Sequence, residues 1–132
     1  MSQIQHTFRN ADIFKLIADN EPELALKLID QKLKLEKKTE EQSWLYIYQS
    51  WIYYSVYQYY PLTHNALNQV LRNRDELCNS ILIEAYLIRA LTHIKQGKCL
   101  YAYDSVETCL AIDPNNSSAI KLHELILILL KK

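Results

Sequence analysis

The stretch Ile83–Asn116, IEAYLIRALTHIKQGKCLYAYDSVETCLAIDPNN, constrains this chain more than any other. It holds two amphipathic runs with apolar residues at helical spacing, separated at Gly97 and closed by Asp113-Pro114-Asn115-Asn116. Gly97 is the only glycine of the chain, and it falls where a tight turn needs a residue tolerant of positive φ. Ala90 and Ala102 are small where the two helices of a hairpin must approach closely, while Tyr86 and Val106 supply bulk on the inner faces. The three prolines, Pro22, Pro61 and Pro114, each stand beside a helix start, where a missing N–H costs nothing. None interrupts a periodic segment, so the chain reads as all-α.

The spacing is that of a known repeat. A tetratricopeptide (TPR) unit is about 34 residues long and carries W-x2-L-G-x2-Y, then A-x3-F, then Pro. Tyr86, Arg89, Ala90, His93, Ala102, Val106 and Pro114 stand at those positions. The stretch therefore resembles a TPR in register along a whole repeat, although Arg89 and His93 depart from the apolar and aromatic consensus. The resemblance implies TPR-like hairpins stacked as a short right-handed α-solenoid, with a concave face lined by the first helix of each pair.

Residues 1–132 are expected to form one such domain, with about seven helices. Residues 8–37 read as a degenerate repeat, 39–76 as an irregular one, 80–114 as the best match and 117–131 as a terminal capping helix. The first helix is expected from about Phe8 to Asp19, with Ala11, Phe14, Ile17 and Ala18 on one stripe. Asn20-x-x-Glu23 and Thr39-x-x-Gln42 look like capping boxes, and Asn79-Ser80 like the cap of the next helix. Trp44, Ile47, Tyr48 and Trp51 fit the inner face of the third helix, with Leu45, Gln49, Ile52, Tyr53 and Val56 facing the other way. The join from Val56 to Ala66 is several residues longer than the repeat allows, which predicts an extended first helix there. Leu125–Leu130 is apolar on all sides, unusual for a helix that caps an array against water.

Fifteen basic and fifteen acidic residues give a formal net charge of zero, which argues against electrostatic binding of nucleic acid. Lys32, Lys34, Lys37 and Lys38 interleave with Glu36, Glu40 and Glu41, so that run reads as a solvated helix end. Cys78, Cys99 and Cys109 are an odd count without CxxC spacing, as suits a reducing compartment. The opening MSQIQHTFRNAD is too polar for a signal peptide, and Leu125–Leu130 is far short of the ~20 residues of a membrane span. A cytoplasmic location without a membrane partner is expected.

Catalytic patterns are sparse. One glycine excludes Gly-rich phosphate loops and the dinucleotide fingerprint. His123-Glu124 begins like HExxH, but Leu127 stands where the second zinc ligand belongs. His6, His64, His93 and His123 lie on different predicted elements, and Cys99 and Cys109 are about three turns apart on one helix. The reading is a non-enzyme with no cofactor and no metal; a small enzyme with an unrecognised site has the least support.

The run from Trp44 to Tyr60 holds both tryptophans and seven of the ten tyrosines, too many rings for one buried stripe. Trp44, Tyr48 and Trp51 are expected in the core, and Tyr46, Tyr53 and Tyr57 in a partly exposed groove or partner contact. The TPR resemblance implies two sorts of groove. A carboxylate clamp needs Lys and Asn, but the corresponding concave positions are Asn10, Phe14, Tyr46, Glu84 and Ile88, and Glu84 would repel a carboxylate. An apolar groove fits better, with partner-binding candidates Phe14, Ile17, Leu45, Tyr46, Gln49, Ile52, Tyr53, Leu87, Ile88, Leu91 and Ile94. In size, helical-repeat build and apolar groove the chain is loosely similar to small TPR-type chaperones of bacterial type III secretion. The expected function is an adaptor or chaperone that binds an apolar helical or extended segment of another protein. The alternative is a structural protein that forms a homodimer through its tyrosine-rich face or terminal helix.

Overall fold

The structure, a computed structural model, describes residues 9–131; the expected helix start at Phe8 and the side chain of His6 lie outside that range. Among the described residues seven α-helices follow one another: α1 (Ala11–Ala18), α2 (Pro22–Leu35), α3 (Thr39–Ile52), α4 (Tyr60–Leu71), α5 (Asn79–Lys95), α6 (Cys99–Ile112) and α7 (Ser117–Leu130). No strand occurs among the described residues, and none of their helices is long and apolar enough to cross a membrane. Each helix packs on the next, and α3 also packs on α5, and α5 on α7. This is a stack of helical hairpins in which the first helices of successive pairs lie side by side.

Two sharp helix ends show how the sequence makes the hairpins. After α5, Gly97 turns left-handed at φ +75, Lys98 N–H donates to His93 C=O at 2.8 Å and Gly97 N–H to Ile94 C=O at 3.0 Å. After α1, Asn20 does the same at φ 59, with Glu21 N–H on Leu16 C=O and Asn20 N–H on Ile17 C=O. Both are Schellman ends, which satisfy carbonyls that a bare helix terminus would orphan.

Asn20 thus closes one helix instead of capping the next. The N-cap of α2 is Glu21, that of α3 is Lys38 and that of α5 is Cys78, none with a side-chain capping bond. The expected capping boxes at Asn20 and Thr39, and the cap at Asn79-Ser80, are therefore not formed. Gln42 Nε2 instead donates to the Glu36 carbonyl at 2.7 Å, tying α3 back to the end of α2. The cap that does form is Asn116, whose Oδ1 accepts from Ala119 N–H at 2.9 Å and starts α7.

The long join after α3 is taken up by a wide π-helical turn, Tyr53–Tyr57, followed by left-handed Gln58 at φ 52. The π-turn absorbs the surplus residues without breaking the helical path.

The core falls into two clusters. The first gathers Ile13, Ile29, Trp44, Leu45, Ile47, Tyr48, Ile52, Leu67, Val70, Ile81 and Ile88 from α1 to α5. The second gathers Ala90, Ala102, Val106, Cys109, Ala119, Leu122 and Ile126 from α5 to α7. Tyr86 packs against both. Each fully buried Ile or Leu contributes about 1.5–3 kcal/mol by leaving water. Buried hydroxyls are satisfied within their own helices: Ser50 Oγ donates to Ile47 C=O and Thr92 Oγ1 to Ile88 C=O, both at 2.7 Å.

Three expectations for side-chain placement fail. Leu45 and Ile52 are only 3% and 1% exposed, inside the first cluster instead of on a free concave face. The cause is position: α3 packs against α2, α4 and α5, so both of its sides are covered. Trp51 fails in the opposite sense, expected in the core but 45% exposed. Phe14 on the short α1 meets Tyr48 edge-on at 5.0 Å, and one turn further along α3 the same stripe emerges at Trp51.

Candidate groove between the first helices

On α5, Glu84, Leu87, Ile88 and Leu91 stand at i, i+3, i+4 and i+7, so they share one face. On α7, Ser118, Lys121, Leu122 and Leu125 repeat the same spacing. These two faces, with Trp51 of α3, line an open groove of about 450 Å³. Ile88 and Leu122 are its buried floor, Leu87 and Leu91 its partly buried wall, and Trp51 and Leu125 its exposed apolar rim. The Trp51 ring is steadied by Tyr54, with centroids 5.7 Å apart.

Glu84 is the exception in an apolar wall. It is partly buried and makes no ion pair among the described residues, Lys121 across the groove included. Burial pushes its carboxyl above the usual carboxylate range. Its negative field also reaches the Tyr48 phenol and the Cys109 thiol, both raised chiefly by their own burial, the thiol to about 11.

No family model, curated protein or solved structure matches the chain. The groove is therefore read from its own chemistry.

Of the residues expected to bind a partner, Leu87, Ile88 and Leu91 come together here. Phe14 and Ile17 pack on the first core cluster from α1, and Ile94 packs on the second. Gln49 reaches across to Asp30 of α2 at 3.4 Å. Tyr46 lines a separate, polar pocket with Gln42, Gln69 and Arg72. Tyr53 is partly buried, and burial together with nearby Asp30 raises its phenol. Tyr57, also partly buried, packs on the first core cluster and stacks on Tyr59. Sequence reasoning missed Trp51 and Lys121 as groove residues. Leu125 had a signal in the apolar run of α7, because six consecutive apolar residues cannot all face inward.

Two further polar clusters lie away from the groove. Glu41, 2% exposed, pairs with Arg9 at 3.0 Å beside a small pocket that includes Lys32 and Glu36. Burial raises its carboxyl and Arg9 opposes that. On the other side of α5, the His93 and His64 rings meet tilted by 34°, centroids 4.5 Å apart, and His64 Nε2 meets Gln96 Oε1 at 2.8 Å. Arg89 lies one turn away and donates to Asn68 Oδ1. Among the described residues no group of three or more His, Cys, Asp and Glu is placed to hold a metal ion.

Proposed function

We propose that the chain is a TPR-like, non-enzymatic adaptor or chaperone whose groove between α3, α5 and α7 receives an apolar or amphipathic segment of another protein. The observation that carries this reading is the pair of facing i, i+3, i+4, i+7 faces with exposed Trp51 and Leu125 at the rim. Walls with this periodicity suit the face of a single amphipathic helix. The complete burial of Ala90, Ala102 and Val106 at the α5–α6 contact supports the TPR register. Three unpaired cysteines favour a reducing compartment, hence the cytosol.

Interface energy resides in a few well-desolvated side chains, each worth about 2 kcal/mol or more on truncation. A charge at Leu91 or Leu125 must be desolvated by the partner, so Leu91→Asp and Leu125→Asp should each weaken binding by about tenfold or more. Leu125 is 44% exposed, so its variant keeps the fold even where Leu91→Asp strains it. The protein captured from source-cell lysate by the wild type is titrated against both variants and against Lys38→Asp. Normal binding by folded Leu125→Asp, with loss in Lys38→Asp, would move the site to the basic run at the end of α2.

A further inference from the structure

A carboxylate in an apolar wall is costly unless something pairs with it, and the two charges of this groove differ in that respect. Lys121 is exposed at the rim, where water solvates it without help. Glu84 is partly buried among Leu87, Ile88 and Leu91, and no cation of the described residues pairs with it. An occupant that fills the trough with apolar side chains alone would remove the remaining water from Glu84 and leave an unpaired buried carboxylate. A partner's acidic side chain or terminal carboxylate there would add like-charge repulsion to the same desolvation. A guanidinium or ammonium on the occupant answers both, because it donates hydrogen bonds to the carboxylate while its alkyl stem lies along the leucines.

We infer that the groove selects an amphipathic helix carrying an Arg or Lys within its apolar face, seated on Glu84 between the anchors of Leu87, Leu91, Trp51 and Leu125. The basic group is part of what is recognised and not a solvent-side decoration. The raised carboxyl of Glu84, and its field at Tyr48 and Cys109, are what an unneutralised charge in this wall produces. This specificity rests on the protein-binding reading of the groove, and one experiment separates the two.

Three labelled synthetic helices of about 16 residues, long enough to hold helical structure, carry leucines at i, i+3, i+4 and i+7. They differ only in one residue set among the leucines: Arg, Gln or Glu. Fluorescence anisotropy against the wild-type protein should rank them Arg, then Gln, then Glu, with about tenfold between Arg and Gln, as befits a charge-assisted hydrogen bond. In Glu84→Gln, which removes a poorly solvated charge and should fold, the Arg preference over Gln should vanish. In Glu84→Lys the order should reverse. Equal binding of the three peptides to the wild type overturns the specificity and leaves the groove standing, as does an Arg preference that survives in Glu84→Gln. Failure of all three to bind the wild type overturns the groove reading itself, and the specificity with it.

Discussion

At the scale of single residues, His93 shows how a titratable ring packed between helices alters the response to acid. Its ring packs at a tilt against His64 of α4 and lies 5.5 Å from the Tyr101 ring of α6, and its Nδ1 is buried with no hydrogen-bond partner. Burial first, then the charges of His64, Arg89 and Lys98, lower it from 6.5 to about 4. His64 is lowered as well, by burial, against the pull of Gln96. A folded value below the unfolded one means that the unfolded chain binds the proton more readily. The stability tied to neutral His93 is therefore complete above pH 6.5 and lost progressively as pH falls towards about 4. Glu41 and Glu84, both raised by burial, act in the opposite sense: their contribution falls as pH rises above 4.5 through their folded values. His93→Phe keeps a ring in that contact and removes the titration. Urea midpoints measured across this range should fall less steeply with acid in His93→Phe than in the wild type, with the share due to His64 remaining. Identical slopes for the two proteins would show that His93 titrates as it does in the unfolded chain.

At the scale of elements, the α5–α6 hairpin is the best-specified part of the chain. Ala90 and Ala102 are both fully buried in the second core cluster. Replacing Ala102 with Leu should overpack that contact and cost about 1–3 kcal/mol, read as a lower denaturation midpoint at unchanged slope. An unaltered midpoint would mean that the helices have room to spare, contrary to the burial. This hairpin was legible because small residues, a lone glycine and a proline stand at fixed spacings, and each has one inexpensive structural role. The helix starts were less legible, since a capping side chain works only from the N-cap itself. A shift of one residue puts Thr39 inside the helix, with Lys38 at the cap. The π-turn at Tyr53–Tyr57 was not legible either, although the surplus length was. Rings and aliphatic residues occupy nearly every position there, so no periodicity marks where the helix widens.

At the scale of the whole molecule, the all-helical stack could be read from periodicity, but of the groove only the α5 face and the apolar run of α7 gave a signal. A stripe on a single helix records that it will be covered, not by what. Leu45 and Ile52 looked like a free face because nothing local tells α3 that α2, α4 and α5 all close on it. Trp51 looked like core because nothing local tells it where α1 stops. Leu87 and Leu91 share a face because they stand one helical turn apart on α5, and both line the groove. Such long-range assignments depend on helix lengths and neighbours, which are properties of the assembled chain.

The division of the core has a consequence in time. The first cluster is built mainly from large side chains, while the second relies on Ala90, Ala102, Ala119 and Cys109, with Val106, Leu122 and Ile126 as its bulk. The second therefore has less bulk holding it shut, and Tyr86 of α5 packs against both. Thermal fluctuations should open α6 and α7 together, as a unit, while α3 and α4 stay closed. In native-state hydrogen exchange, the slowest amides of α6 and α7 should become labile at lower denaturant than those of α3 and α4. A single shared opening free energy across all these helices would mean that α5 transmits enough stability to make the molecule one cooperative body. If the two halves do separate, the groove is walled on one side by the helix that breathes, and an occupant would enter while α7 swings away and be held when it returns.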